Sequence, residues 1–258
     1  MLKSLTFWIV ILISIPLAAQ NVIDYPTASL VLQLPPGGGK NGTAVAYNPE
    51  KEIYYTAFAG NPEFPIHTFS KEGNLLAESR VGNDIRGLWW NPKSESLEGN
   101  GYGDIGWVRI GLDANGIPNQ GNRTLVEGPI QPLEQAVGAL DTRGKEVLFL
   151  QEEAQVKGYR LKDGKPTKTE ISLQLPQEAN RYNKTTLVYT GKKNRELGVL
   201  DADLELVYLF RLKDGILSES ITLPRGSVKE YQFNFSFAND HIFLFDPRER
   251  RWTGYRIF

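Results

Sequence analysis

The 258-residue chain contains no cysteine. That absence removes disulfide staples, thiolate metal sites, cysteine nucleophiles and lipid attachment through sulfur. Histidine is nearly as scarce: His67 and His241 cannot together make a three-histidine zinc site. Nor does one sign of charge prevail. Lys and Arg number 29 against 30 Asp and Glu, a formal net charge of −1, so no field draws the protein to nucleic acid or to an anionic membrane surface. Beyond residue 20 no window carries a sustained apolar stripe at helical period with caps. What the chain does have is 41% hydrophobic and 11% aromatic residues, enough for a large core, punctuated by 25 Gly and 15 Pro.

The first twenty residues read as an address. Lys3 precedes an apolar run from Leu5 to Ile15, followed by Pro16 and the small residues Ala18 and Ala19, the order of a secretory signal peptide. The run is short for a membrane span, so cleavage after Ala19 or Gln20 is expected, with no stable membrane insertion afterwards and a secreted or periplasmic location. An uncleaved anchor is the alternative. Residues 21–258 are then a single domain with 28 basic and 30 acidic residues.

That domain alternates apolar and polar residues at period 2, as in Glu170-Ile171-Ser172-Leu173-Gln174-Leu175, so it is all-β. Four turn signals, Lys71-Glu72-Gly73-Asn74, Asp113-Ala114-Asn115-Gly116, Lys162-Asp163-Gly164 and Lys213-Asp214-Gly215, place glycines 43, 48 and 51 residues apart. Such a period suits a four-stranded propeller blade. Gly158-Tyr159-Arg160-Leu161-Lys162-Asp163-Gly164 matches Leu209-Phe210-Arg211-Leu212-Lys213-Asp214-Gly215, and the chain ends in a third copy, Gly254-Tyr255-Arg256-Ile257-Phe258, that stops before its fourth strand. The missing strand is at the other end: Ser29-Leu30-Val31-Leu32-Gln33-Leu34-Pro35 repeats the fourth strands Ile171–Pro176 and Ser220–Pro224. Blades are therefore expected at about 42–82, 86–128, 135–176 and 181–224, with a fifth joining 228–258 to 27–35. Five blades of about 48 residues fit the length, where six would leave about 40 each.

Gly42-Thr43-Ala44-Val45-Ala46-Tyr47-Asn48-Pro49 followed by Ile53-Tyr54-Tyr55, and its repeat Gly87-Leu88-Trp89-Trp90-Asn91-Pro92, resemble the inner strand and Asn-Pro hairpin of secreted β-propellers of the broad YVTN, NHL and gluconolactonase-like type. The resemblance implies the fold across nearly the whole mature chain. It assigns no catalytic residue, because many unrelated activities use this architecture.

Radial stacking brings the starts of the innermost strands together with the loops between second and third strands, and that face is the expected ligand site. The residues expected there to bind are Arg86, Tyr102, Asp104, Tyr182 and Tyr231. Asp84, Glu134 and Glu230 would converge from three blades; they either hydrate a channel mouth and pair with Arg86 and Arg181, or act as acid and base in glycoside hydrolysis. No cofactor is expected, although the oxygens of Asp104, Glu152-Glu153 and Asp201-Ala202-Asp203 are of the kind that hold Ca²⁺. Trp89 and Trp90 are adjacent on a strand and must face opposite ways, which reads as packing between blades. Gly99-Asn100-Gly101-Tyr102-Gly103-Asp104 reads as a strand edge bared for the approach of another backbone or a ligand. The leading expectation is a module that binds a small molecule, a glycan or an envelope protein. The alternative is a hydrolase of carbohydrate or a related small molecule using the mouth carboxylates, and a structural envelope component is a third reading.

Overall fold

The structure, a computed structural model, describes residues 22–23 and 26–258. The signal-peptide reading of residues 1–20 lies outside the described residues. The chain enters as β1 (Val22–Ile23) and β2 (Ala28–Gln33), then builds four blades in order. Blade one is β3 (Asn41–Asn48), β4 (Ile53–Ala59), β5 (Ile66–Ser70) and β6 (Leu75–Ser79), and blade two is β7 (Ile85–Asn91), β8 (Ser96–Gly101), β9 (Trp107–Arg109) and β10 (Arg123–Val126). Blade three follows as β11 (Ala139–Asp141), β12 (Glu146–Leu150), β13 (Gln155–Arg160) and β14 (Pro166–Ser172), and blade four as β15 (Val188–Tyr189), β16 (Leu197–Asp201), β17 (Leu206–Phe210) and β18 (Leu217–Thr222). Blade five is β19 (Phe235–Ala238), β20 (His241–Asp246) and β21 (Arg251–Arg256), completed by β2, which pairs antiparallel with β21 through Leu32↔Trp252 and Gln33↔Arg251. The expected ring closure and five-blade register are thus realised. Unforeseen is β1, which lies parallel to β18 on the outside of blade four. Among the described residues no helix is long and apolar enough to cross a membrane.

Position within a blade decides how each strand reads. Second strands are covered on both faces, so β4 is an unbroken buried run, Ile53-Tyr54-Tyr55-Thr56-Ala57-Phe58-Ala59. Fourth strands have one wet face, so β14 alternates exposed and half-buried along its length. The core is correspondingly five cores, one for each pair of neighbouring blades. Leu32, Phe69, Phe243, Phe245 and Trp252 fill the joint between blades five and one. Trp89 packs with Trp107 and Phe149 between blades two and three, while Trp90 leans on the cluster between blades one and two. The two tryptophans serve opposite joints, as their adjacency requires.

The periodic glycines have two physical causes. Each turn glycine has positive φ, +89° at Gly73 and +68° at Gly215. Each also presses on its neighbour: a Cβ on Gly73 would sit 2.2 Å from Val31 O of β2, and one on Gly215 would sit 2.1 Å from Ser172 O of β14. In blades one, three and four the outer turn therefore docks on the fourth strand of the blade before it, whereas in blade two Gly116 rests on Ile53 and Tyr55 of β4, the second strand of blade one.

Around the axis the innermost strands follow one another as β3, β7, β11, β15 and β19 and return to β3. Near their starts every joint is tied by hydrogen bonds. Asn234 N–H donates to Gly42 O at 2.6 Å and Asn234 Oδ1 accepts from Gly42 N–H at 2.8 Å, joining blades five and one. Gly60 N–H donates to Asp84 Oδ1 at 2.9 Å between blades one and two. Asn100 donates to Ala136 O and accepts from Gly138 N–H, both at 3.0 Å, between two and three. Val137 N–H reaches Thr185 O at 2.9 Å, and Asn183 Nδ2 reaches Phe233 O at 2.9 Å, closing the last two joints. Buried amides do this because an unpaired backbone group there costs about 1–3 kcal/mol.

Candidate functional site

Two faces result, with different loops. Connections from a fourth strand to the next blade are long, such as 127–138, 173–187 and 223–234, and gather with the loops between second and third strands on what is called here the loop face. The opposite, hairpin face carries mostly short turns, among them Asn239-Asp240 with φ of 47° and 63°, the exception being 110–122 in blade two. Long loops on a rigid frame are where binding groups are usually carried.

On the loop face the sequence-predicted residues form one tight group and several outliers. A bulge between Ile85 and Gly87 sets Arg86 out of register with β8. Its Nη1 and Nη2 donate to Asp84 Oδ1 and Oδ2 at 3.0 and 3.2 Å. The guanidinium lies over the Tyr102 ring, 4.5 Å from its centroid. Tyr102 in turn donates its hydroxyl to Glu134 Oε2 at 2.8 Å, and that bond pushes the phenol pKa up. Asp84, Arg86, Tyr102 and Glu134 are thus one chain of contacts across blades two and three. Arg86 is 3% exposed and its Nε has no partner, so burial draws the guanidinium pKa down while Asp84 opposes the shift.

The other predicted residues are placed differently. Tyr231 is exposed, with the Arg181 guanidinium 5.3 Å from its ring centroid and Arg181 also 3.1 Å from Asp203. Tyr182 is committed to the fold: its hydroxyl accepts the Ala154 N–H at 3.0 Å and its ring packs on the joint between blades three and four. Asp104 lines a side groove with Asn83, Asn122 and Glu127. Glu230 is exposed. Asp201 Oδ1 accepts from Asp203 and Leu204 N–H in its own turn. Among the described residues no three His, Asp or Glu side chains come together so as to hold a metal ion.

The glycine-rich run is not at the expected strand edge, because β8 is paired on both sides, by β7 and β9. It is a place of close approach: a Cβ on Gly99 would meet Gly87 O at 2.3 Å, and one on Gly87 would meet Asn100 Oδ1 at 2.3 Å and Gly138 N at 2.7 Å, where blade two meets blade three. Buried and ion-paired to Asp84, Arg86 is part of the frame as well as of the loop-face cluster.

Sequence reasoning also missed the channel plug. Phe233 is buried against Ala59 and Val137, residues of blades one and three, so its ring spans the axis at the loop-face end. Its φ is +49°, and Asn234 follows at +52°. Blade four holds this strained pair: Thr185 Oγ1 accepts the Phe233 N–H at 2.8 Å while Asn183 donates to its carbonyl. Nothing in Gln232-Phe233-Asn234 signals this except an aromatic next to an Asn that tolerates positive φ.

His67 is a packed histidine. It is 2% exposed, with Phe58 edge-on at 5.8 Å and Phe69 at 6.5 Å. Burial, and after it the Arg250 guanidinium, holds its pKa down to about 4. Glu78 Oε2, 3.4 Å from Nε2, acts in the opposite direction. Because the unfolded pKa is near 6.5, the unfolded chain takes up a proton that the folded one refuses as pH falls. Stability is therefore expected to decline between pH 6.5 and 4, by at most about 3 kcal/mol from this group. Urea midpoints at pH 7.5 and 4.5 for the parent and His67→Phe test it. An equal acid-side loss in both proteins would refute the assignment.

Neither a protein-family model nor a curated protein sequence matches the chain. Among solved structures it is similar to the glutaminyl cyclase of Myxococcus xanthus, at 8% identity over 92% of this chain and 98% of that one, with a TM-score of 0.60. It is also similar to a gluconolactonase from Xanthomonas campestris, at 9% identity over 93% and 99%, with a TM-score of 0.51. At such identities the likeness concerns architecture alone, and with the five antiparallel sheets in a ring it makes the chain a five-bladed β-propeller.

Proposed function

We propose that the protein is an exported propeller whose loop face binds a polar, hydroxyl-rich small molecule or glycan. The observation that carries this reading is the Asp84–Arg86–Tyr102–Glu134 chain. It fixes one face of an exposed tyrosine ring on a buried guanidinium and leaves a carboxylate beside its edge, a platform for stacking and for hydroxyl contacts. Tyr231 on Arg181 repeats the pairing on the same face. A screen of glycans and metabolites against the chain beginning at Asn21, with and without Ca²⁺, tests the proposal. Tyr102→Ala is expected to weaken binding at least tenfold with unchanged melting. Unchanged affinity would remove the platform from the site.

A hydrolase is the second reading, favoured by two carboxylates, Asp84 and Glu134, meeting on one Arg–Tyr pair, and by enzymes among proteins of the same fold. Against it, both Asp84 oxygens are taken by Arg86 and one also by Gly60. In this reading Glu134→Gln abolishes turnover and leaves affinity largely intact; in the binding reading no product forms with any variant. Export predicts an intact mass beginning at Gln20 or Asn21 in the secreted fraction. Membrane-bound material retaining Met1 would overturn it.

A further inference from the structure

The inner strands leave a cavity of about 320 Å³ along the axis, walled by all five blades. Phe233 spans the loop-face end, and the wall runs on to the turns of the hairpin face, including Pro49, Pro92 and Asn239. The pocket is therefore reached from the side opposite the Arg86 cluster. Its mouth is built by one repeated position. Paired to the second strand near the end of each first strand are Tyr47, Trp90, Leu140, Tyr189 and Phe237 in blades one to five, the last strand residue in blade four and the next to last in the others. Four of the five are aromatic, and all five line the cavity.

The wall contains no Asp, Glu, Lys, Arg or His, in a chain of which 23% is charged. An ion entering would shed its water and meet no counter-charge, which disfavours it against a neutral molecule of the same shape. The polar groups present are mostly spent on the fold: Ser236 accepts from and donates to Val45, Thr190 donates to Arg195 O, and Asn239 donates to Tyr54 Oη. Trp89 differs. It contributes to the wall, but its indole lies in the joint between blades two and three with Trp107 and Phe149, and its N–H is buried there, away from the cavity. Burial and the neighbouring Asp141 push the Tyr189 hydroxyl pKa up, so it remains a phenol. A mouth ringed by aromatic side chains and a wall without charge suit a flat, neutral molecule.

We propose that the hairpin-face mouth of the channel is a second binding site, taking an uncharged, ring-sized organic molecule. It is separate from the loop-face site, with which it shares no residue.

The test compares two probes of one shape and different charge, methyl 4-hydroxybenzoate and 4-hydroxybenzoate, followed by saturation-transfer NMR and tryptophan fluorescence on the full mature protein. The neutral ester is expected to bind at least tenfold more tightly than the anion. Ala139→Phe fills the half-buried wall of blade three and is expected to abolish ester binding. Should that variant fail to fold, Thr142→Arg, at a turn on the mouth, puts a charge there and is expected to weaken the ester at least tenfold. Equal affinity for ester and acid, no ester binding at millimolar concentration, or undiminished ester binding by folded Thr142→Arg would each overturn the proposal.

Discussion

Deleting residues 21–36 is expected to leave no folded monomer. The cut removes β1 and β2 and with them Leu30, Leu32 and Leu34, which are buried against blades five and one. At about 2 kcal/mol for each buried leucine, the apolar loss alone is about 6 kcal/mol, within the 5–15 kcal/mol that separates a folded domain from its unfolded state. The truncation further bares the edge of β21, which then offers unpaired N–H and C=O groups to other chains. Gly73 loses the β2 backbone on which its turn rests, so the damage spreads into blade one. Aggregation on size exclusion, or loss of near-ultraviolet circular dichroism, is the expected result. Leu32→Ala is the graded version: it leaves the strand in place and should cost about 2–5 kcal/mol. A truncated chain that stayed monomeric with unchanged melting would mean that the ring is not closed by this strand.

Ring closure was legible because it rests on local patterns. A strand that must alternate, a turn that needs glycine and a copy that stops short are all features of contiguous residues; the first recurs in every blade, the second in four, and the third marks the blade left open at Phe258. The site was less legible because it rests on contacts between blades. Asp84, Arg86 and Tyr102 were placed on the right face by counting strands, but nothing local said that a bulge would turn Arg86 inward or that Glu134 would reach Tyr102. Tyr182 shows the converse. It has the residue type and position of a ligand contact, yet its hydroxyl is spent on Ala154 N–H, a partner 28 positions away. The channel was missed for a further reason. Tyr47, Trp90, Leu140, Tyr189 and Phe237 look like ordinary inner-strand core until five strands are folded around one axis. The signal was nonetheless present, as a bulky residue at or one place short of the end of each first strand.

Breaking the Asp84–Arg86 pair is the second large expected effect, and it bears on how the loop face can be tested. Arg86→Met removes the cation and leaves Asp84 buried, with the Gly60 N–H as its remaining donor. Breaking a buried pair from one side typically costs about 3–5 kcal/mol, because the surviving charge has lost both water and partner. Removing both charges is a different change. Asp84→Asn with Arg86→Met replaces the pair by a neutral amide, which can still accept from Gly60, and an apolar stem; the double variant is expected to recover most of the loss. Urea unfolding of the four proteins at pH 7 measures the coupling, and a single-variant cost below about 1 kcal/mol would show the pair to be solvent-screened. If the coupling is large, a loss of ligand affinity in Arg86→Met reports a damaged frame and a lost platform together. Tyr102→Ala separates them, since the ring rests on Arg86 from the exposed side and its removal leaves the Asp84–Arg86 pair in place.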